Sequence, residues 1–148
     1  MKPFLIFLTI MLISPFTNTF GQNNQTDYLV VESNYPGRAE FEKSVKGSEN
    51  IYFNKTEISV LYQLDSLLMG KNVNNLHLYL PAKAGEIDFA NIIITPENVA
   101  DYSDQLKDLK QLVSGRVIIH SNLVFSDEKG KLLKQKLQEF SGLPFETR

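Results

Sequence analysis

Two stretches, Leu76-His77-Leu78-Tyr79-Leu80-Pro81 and Val117-Ile118-Ile119-His120-Ser121-Asn122, decide the fold of this chain. Each is a short, mainly apolar run that stops at a polar or structure-breaking residue. The near-continuous runs Leu29-Val30-Val31 and Val117-Ile118-Ile119 fit strands buried on both faces, as in a parallel sheet covered by helices. Working outward, strand-like segments are expected at Tyr28–Glu32, Ile51–Phe53, Leu76–Leu80 and Arg116–His120, with an edge strand at Leu143–Thr147.

Helical periods fall between them. A short helix runs through Phe41 and Val45 to Lys46, after the breaker Asn34-Tyr35-Pro36-Gly37. Thr56 reads as the N-cap of a helix whose stripe is Ile58, Leu61, Leu64 and Leu68, stopped by Gly70. Thr95-Pro96 is a helix start, and Val99, Tyr102, Leu106, Leu109 and Val113 step by three and four as far as Gly115. Ser126 or Asp127 caps a last helix with Leu133, Leu137 and Phe140 inward, closed by Gly142. Glu86–Ile94 reads as an extended pair turning at Ala90-Asn91. Strands separated by helices imply βαβ crossovers, so ligand chemistry is expected beyond the carboxyl ends of the strands, after Glu32, Leu80 and Ser121.

The amino terminus gives an address. Lys2, the apolar run Phe4–Phe16 and the small residues Thr19 and Gly21 form the three parts of a secretory signal, with cleavage expected after Gly21. The run is too short, and too interrupted by Pro15, for a membrane span of about 20 residues. Residues 1–21 are therefore read as signal peptide, 22–26 as a flexible leader and 27–148 as one domain. A secreted or periplasmic protein follows, with no stable membrane insertion after cleavage. Loss of the signal removes Lys2 and leaves 14 basic and 17 acidic side chains, a formal charge of −3. No basic stripe exists to hold nucleic acid. The chain has no cysteine, which excludes disulfides, thiol chemistry and cysteine-held metals.

The stretches Tyr28-Leu29-Val30-Val31-Glu32-Ser33, Leu76 through Pro81 to Ile87, Thr95-Pro96-Glu97-Asn98-Val99 and Val117 through Asn122 to Val124, with Gly130 and Ser141-Gly142, resemble the DUF4347 family. These are domains of unknown function at the N-terminal ends of large secreted bacterial adhesin-like proteins, distantly similar to caspase-type and gingipain-type cysteine peptidases. The resemblance implies a three-layer α/β/α domain with a mainly parallel, caspase-like sheet of four to six strands. It also implies a site, and here this sequence departs. Where the family has Ser-His-Gly, this chain has Leu80-Pro81-Ala82; where it has Tyr-Gly-Cys, this chain has His120-Ser121-Asn122. A thiol hydrolase needs a thiolate and an imidazole at those edges. Pro81 has neither a titrating group nor an N–H, and Asn122 is no nucleophile. The expectation is a pseudoenzyme.

Other constellations have simpler structural readings. His77 and His120 lie near the degenerate edge, but two histidines without a third ligand make a poor metal site, so no metal and no cofactor are expected. Ser126-Asp127-Glu128-Lys129 matches Ser-x-x-Lys, yet an N-cap followed by acidic residues explains all four positions. Lys129, Lys131, Lys134 and Lys136 alternate with acids as a solvated helix face does. Tyr35 and Arg38 in the first loop, and Lys83 and Glu86 after the third strand, are either turn chemistry or contact anchors.

The sequence thus points to an exported, non-catalytic caspase-like domain that binds a protein or peptide. Its binding edge would comprise Tyr35, Arg38, Lys83, Glu86, His120 and Ser121, beside the degenerate positions Pro81 and Asn122. The alternatives are an exported hydrolase using His120 with Ser121 or Ser126, and a self-associating structural protein of the envelope.

Overall fold

The computed structural model describes residues 25–56 and 58–148. The expected signal peptide, and the leader up to residue 24, lie outside the described residues.

Five strands form the main sheet: β1 (Thr26–Glu32), β2 (Ser48–Phe53), β3 (Val73–Tyr79), β7 (Val117–Ile119) and β8 (Phe145–Thr147). Their spatial order is β2-β1-β3-β7-β8 and every pairing is parallel. A small antiparallel sheet, β4 (Ala82–Lys83), β5 (Glu86–Asp88) and β6 (Ile93–Ile94), is inserted after β3. The turn between β5 and β6 runs through Ala90 and Asn91, both with positive φ, where the Phe89 N–H donates to the Ile92 carbonyl.

The helices are α1 (Arg38–Ser44), α2 (Val60–Leu68), α3 (Ser103–Leu112), which follows a 3₁₀ turn at Val99–Tyr102, and α4 (Glu128–Ser141). Right-handed crossovers place α1 on one face of this strand order and α2, α3 and α4 on the other. The packing agrees. Leu61, Leu64, Leu68, Leu106, Leu109, Leu133 and Leu137 join Val30, Leu76, Leu78, Val117 and Ile119 in one core. Leu29 and Val31, pointing the other way on β1, are fully buried outside that cluster, on the face α1 occupies. The molecule is a three-layer α/β/α domain with one thick layer and one thin one.

Several boundaries differ from the sequence reading. The N-cap of α2 is Ser59, whose hydroxyl accepts the Leu61 N–H, not Thr56, and Ile58 lies outside the core, 59% exposed. The Thr95-Pro96 entry begins as a 3₁₀ turn before α3. Asp127 caps α4, its carboxylate accepting the Gly130 N–H at 2.7 Å. The terminal segment adds β8 beside β7 as expected, over Phe145–Thr147.

From β1 the chain steps to β2 on one side and then crosses back to β3 on the other. The order therefore reverses between β1 and β3, and a crevice opens beyond their carboxyl ends.

Candidate functional site

The crevice holds a cavity of about 230 Å³ lined by Tyr35, Tyr79, Leu80, Pro81, Ala82, His120 and Ser121. Alternation along the strands supplies its walls. With Leu76 and Leu78 turned into the core, His77 and Tyr79 take the α1 face of β3. Likewise Val117 and Ile119 are core residues, so Ile118 and His120 share that face on the adjoining strand.

Aromatic contacts fix the wall. The Tyr79 hydroxyl donates to that of Tyr35 at 3.2 Å, and the two rings meet edge-on at 4.7 Å. Phe41 of α1 packs 3.9 Å from the Tyr79 ring and edge-on to His120 at 4.7 Å, between centroids. The bond to Tyr35, with burial and the repulsion of a second phenolate, raises the Tyr79 pKa to about 12. Tyr79 enters the cavity as a neutral phenol.

Beneath this wall runs a line of three polar side chains. Asp27 sits where the β1–β3 register slips, which brings both Asn74 and Asn75 opposite it. Its Oδ1 accepts from Asn74 Nδ2 and Asn75 Nδ2 at 3.0 Å and from the Asn75 N–H at 3.1 Å. Burial pushes this carboxyl up, but the bonds from Asn75 and Asn74, with His77 beside it, hold its pKa below the ordinary value. Asp27 Oδ2 lies 3.7 Å from His77 Nε2, and His77 Nδ1 lies 2.9 Å from His120 Nε2. The carboxylate favours the proton on His77 Nε2, so Nδ1 is left to accept the N–H of His120 Nε2.

His77 is 4% exposed and His120 half-buried. Burial lowers the His77 pKa despite the charge of and bond to Asp27, with Arg148 adding to the depression. Burial, then His77, then Arg148 lower that of His120 to about 4. Both rings are neutral at physiological pH. No group of three or more His, Asp or Glu side chains among the described residues is placed to hold a metal ion.

A second cavity of about 270 Å³ shares Pro81 and Ala82 with the first and continues to Lys83, Glu86, Asp88 and Ile93. Lys83 pairs with Glu86 at 3.0 Å, and Lys129 reaches Glu86 at 3.5 Å. Thus Tyr35, Pro81, His120 and Ser121 come together in one cavity, and Lys83 and Glu86 line the next. Arg38 does not join them. Its guanidinium donates to the Ser33 carbonyl, pairs with Glu42 at 3.2 Å and lies over the Tyr52 ring. Asn122 is exposed in the loop after β7 and lines neither cavity.

The Ser-x-x-Lys pattern does not assemble. The Ser126 hydroxyl donates to the Leu123 carbonyl at 2.7 Å, while Lys129 faces Glu86 and Glu97. Residues overlooked in the sequence are Tyr79, Phe41 and Asp27. The signal for one of them was there: His77-x-Tyr79 and Ile118-x-His120 each place their members on one strand face.

A family model for the domain of unknown function DUF4347 matches residues 29–147. The chain belongs to the DUF4347 family. Neither a curated protein nor a solved structure matches this DUF4347 domain. The matched region begins within β1 and ends with β8, so it contains the main sheet apart from Thr26–Tyr28, and both cavities.

Proposed function

We propose that this DUF4347 domain is an exported, non-catalytic binding module that holds a protein or peptide segment at the carboxyl edge of its sheet. One observation carries the reading: two neighbouring cavities share the Pro81–Ala82 wall, one aromatic and hydroxyl-lined, the other largely apolar around Ile93. An extended segment can place successive side chains on either side of such a wall. Aromatic rings at its entrance supply contact area at small cost in conformational entropy. Pro81 and Asn122 at the degenerate positions, and the absence of cysteine, support binding without thiol catalysis. The Lys2–Gly21 segment supports export.

The test is capture of partners on the tagged protein from its own envelope and culture fractions, beside an unrelated exported domain. A stoichiometric partner retained by the wild type and lost with Tyr35→Ala and Lys83→Glu is the expected result. A hydrolase activity of the purified protein that disappears on changing a strand-edge residue would sink it.

The line Asp27–His77–His120 next to Ser121 is the observation that favours a hydrolase instead. His120, held near 4, is a weak proton acceptor at neutral pH. Ser121 Oγ already accepts the Leu123 N–H at 3.4 Å. Unchanged turnover in both Ser121→Ala and His120→Ala would remove these residues from any activity found.

A further inference from the structure

The His77–His120 contact lies on the thinly covered face of the sheet, under the wall of the first cavity. Its 2.9 Å separation requires one N–H and one lone pair between the rings. We propose that this pair is an acid-released latch: a single N–H···N bond clips the end of β7 to β3, and protonation of both rings removes the acceptor and springs the contact.

The chemistry follows from the proton count. In the neutral pair His77 Nδ1 accepts and His120 Nε2 donates. The first added proton charges His77, whose charge in turn helps depress His120. Nδ1 of His77 gains the N–H, His120 shifts its own proton from Nε2 to Nδ1, and one N–H···N bond remains with donor and acceptor exchanged. A second goes to His120 Nε2, so that two N–H groups and two positive charges then face each other. They cannot stay at hydrogen-bond distance.

The surroundings offer little to stabilise the second charge. From β1, Asp27 faces His77 and favours its protonation, but it lies at the far ring nitrogen. Arg148, beyond β8, opposes protonation of both rings. Tyr79 from β3, its hydroxyl bonded to that of Tyr35 from the β1–α1 loop, is a neutral phenol. From α1 the ring of Phe41 is uncharged, and Arg38 and Glu42 are paired with each other. On the same face of β7 and β8, Arg116 Nη1 contacts both carboxylate oxygens of Glu146, at 2.9 and 3.0 Å.

The direction of the pH effect is fixed by these shifts. Both histidines have folded values below the ordinary 6.5, so the open state binds protons more readily. The latch is fully held above 6.5 and is lost as pH falls through that value toward about 4. Because the His120 ring touches Phe41, and Phe41 touches Tyr79, its release moves the cavity wall. The latch needs no bound partner and goes beyond the binding reading: its ligand is the proton.

Imidazole NMR of the full chain, from neutral pH to below about 4, tests it. Both rings should show the Nε2–H tautomer at neutral pH and titrate below 6.5, His120 at about 4. The Phe41, Tyr79 and Tyr35 ring signals should shift with the second protonation, while the Leu29–Val31 amides stay in place. The double variant His77→Asn/His120→Gln keeps an acceptor near the Nδ1 position and a donor near the Nε2 position, and neither amide titrates. In that variant the aromatic signals should not move over the same range. Aromatic shifts that persist in the double variant, or histidines that titrate at 6.5 with no aromatic response, overturn the latch. Should the variant fail to fold, the wild-type record decides alone. Aromatic shifts that track the histidines support the latch; shifts at a pH where neither ring titrates refute it.

Discussion

Gly130 shows how much one missing methyl group can set. It is buried in the first turn of α4, and a Cβ there would lie 2.3 Å from the Val124 carbonyl oxygen and 2.8 Å from Phe125 Cα. Both are backbone atoms of the loop after β7, so neither yields cheaply. Gly130→Ala gains about 1 kcal/mol of helix propensity, but forcing the loop away costs about 1–3 kcal/mol. The expected net result is a thermal midpoint lower by about 5 °C, the order a loss of 1 kcal/mol produces in a domain of this size. An unchanged or higher midpoint would show that the loop adapts freely. Gly85 needs its glycine for a different reason: a Cβ there would meet only side-chain atoms of Lys129, but its φ of +69° strains any other residue. The sequence marks Gly130 through the family resemblance, but the reason for the glycine depends on how the loop folds back and is not local. The same holds for the site residues. Tyr35, Pro81, His120 and Ser121 were legible because loops after strands mark the crevice. Asp27 was not, since only the register slip opposite Asn74 and Asn75 brings it beside His77.

At the scale of elements, α2 is where local reading and tertiary structure part. Its stripe Leu61, Leu64 and Leu68 was legible from the period, and all three residues are core. Its start was misplaced, because Thr56 offers a local signal of its own by accepting the Ile58 N–H at 3.2 Å. Ser59 wins through a distant partner. Besides accepting the Leu61 N–H at 3.3 Å, its hydroxyl donates to the Phe89 carbonyl, thirty residues away, while the Phe89 carbonyl also accepts the Val60 N–H. The residue is 2% exposed, so its loss leaves the buried Leu61 N–H without that partner and the Phe89 carbonyl with the Val60 N–H alone. Ser59→Ala is expected to cost about 1–2 kcal/mol, read as a lower urea midpoint with unchanged slope. Thr56→Ala, at an exposed turn, should cost under about 0.5 kcal/mol. Equal losses for the two would mean that the helix start is not set at Ser59.

For the whole molecule, the parallel sheet and three layers were readable because alternating strands and helices with right-handed crossovers permit few arrangements. What could not be read was how unevenly the layers are filled. Among the described residues only α1, a seven-residue helix, covers the face that carries Asp27, His77 and His120, whereas α2, α3 and α4 share one core on the other. That asymmetry leaves the histidine pair beneath a thin cover instead of deep in the core. It also predicts a gradient of local stability. β1 is paired with β2 and β3, and β3 with β1 and β7, while Leu29, Val30, Val31, Leu76 and Leu78 are fully buried. β8 is a three-residue edge strand, and β4–β6 form a separate sheet of two- and three-residue strands. In native-state hydrogen exchange the amides of β1 and β3 should therefore be slowest, opening only with global unfolding, and those of β8 and β4–β6 should exchange through local opening. Since β4 and the Pro81 before it line the shared wall, and Lys83 of β4 lines the second cavity, the segment that shapes both cavities is drawn from the low-stability end. Protection of β4–β6 equal to that of β1 would instead make the two cavities rigid, and a partner would then have to fit them as they stand.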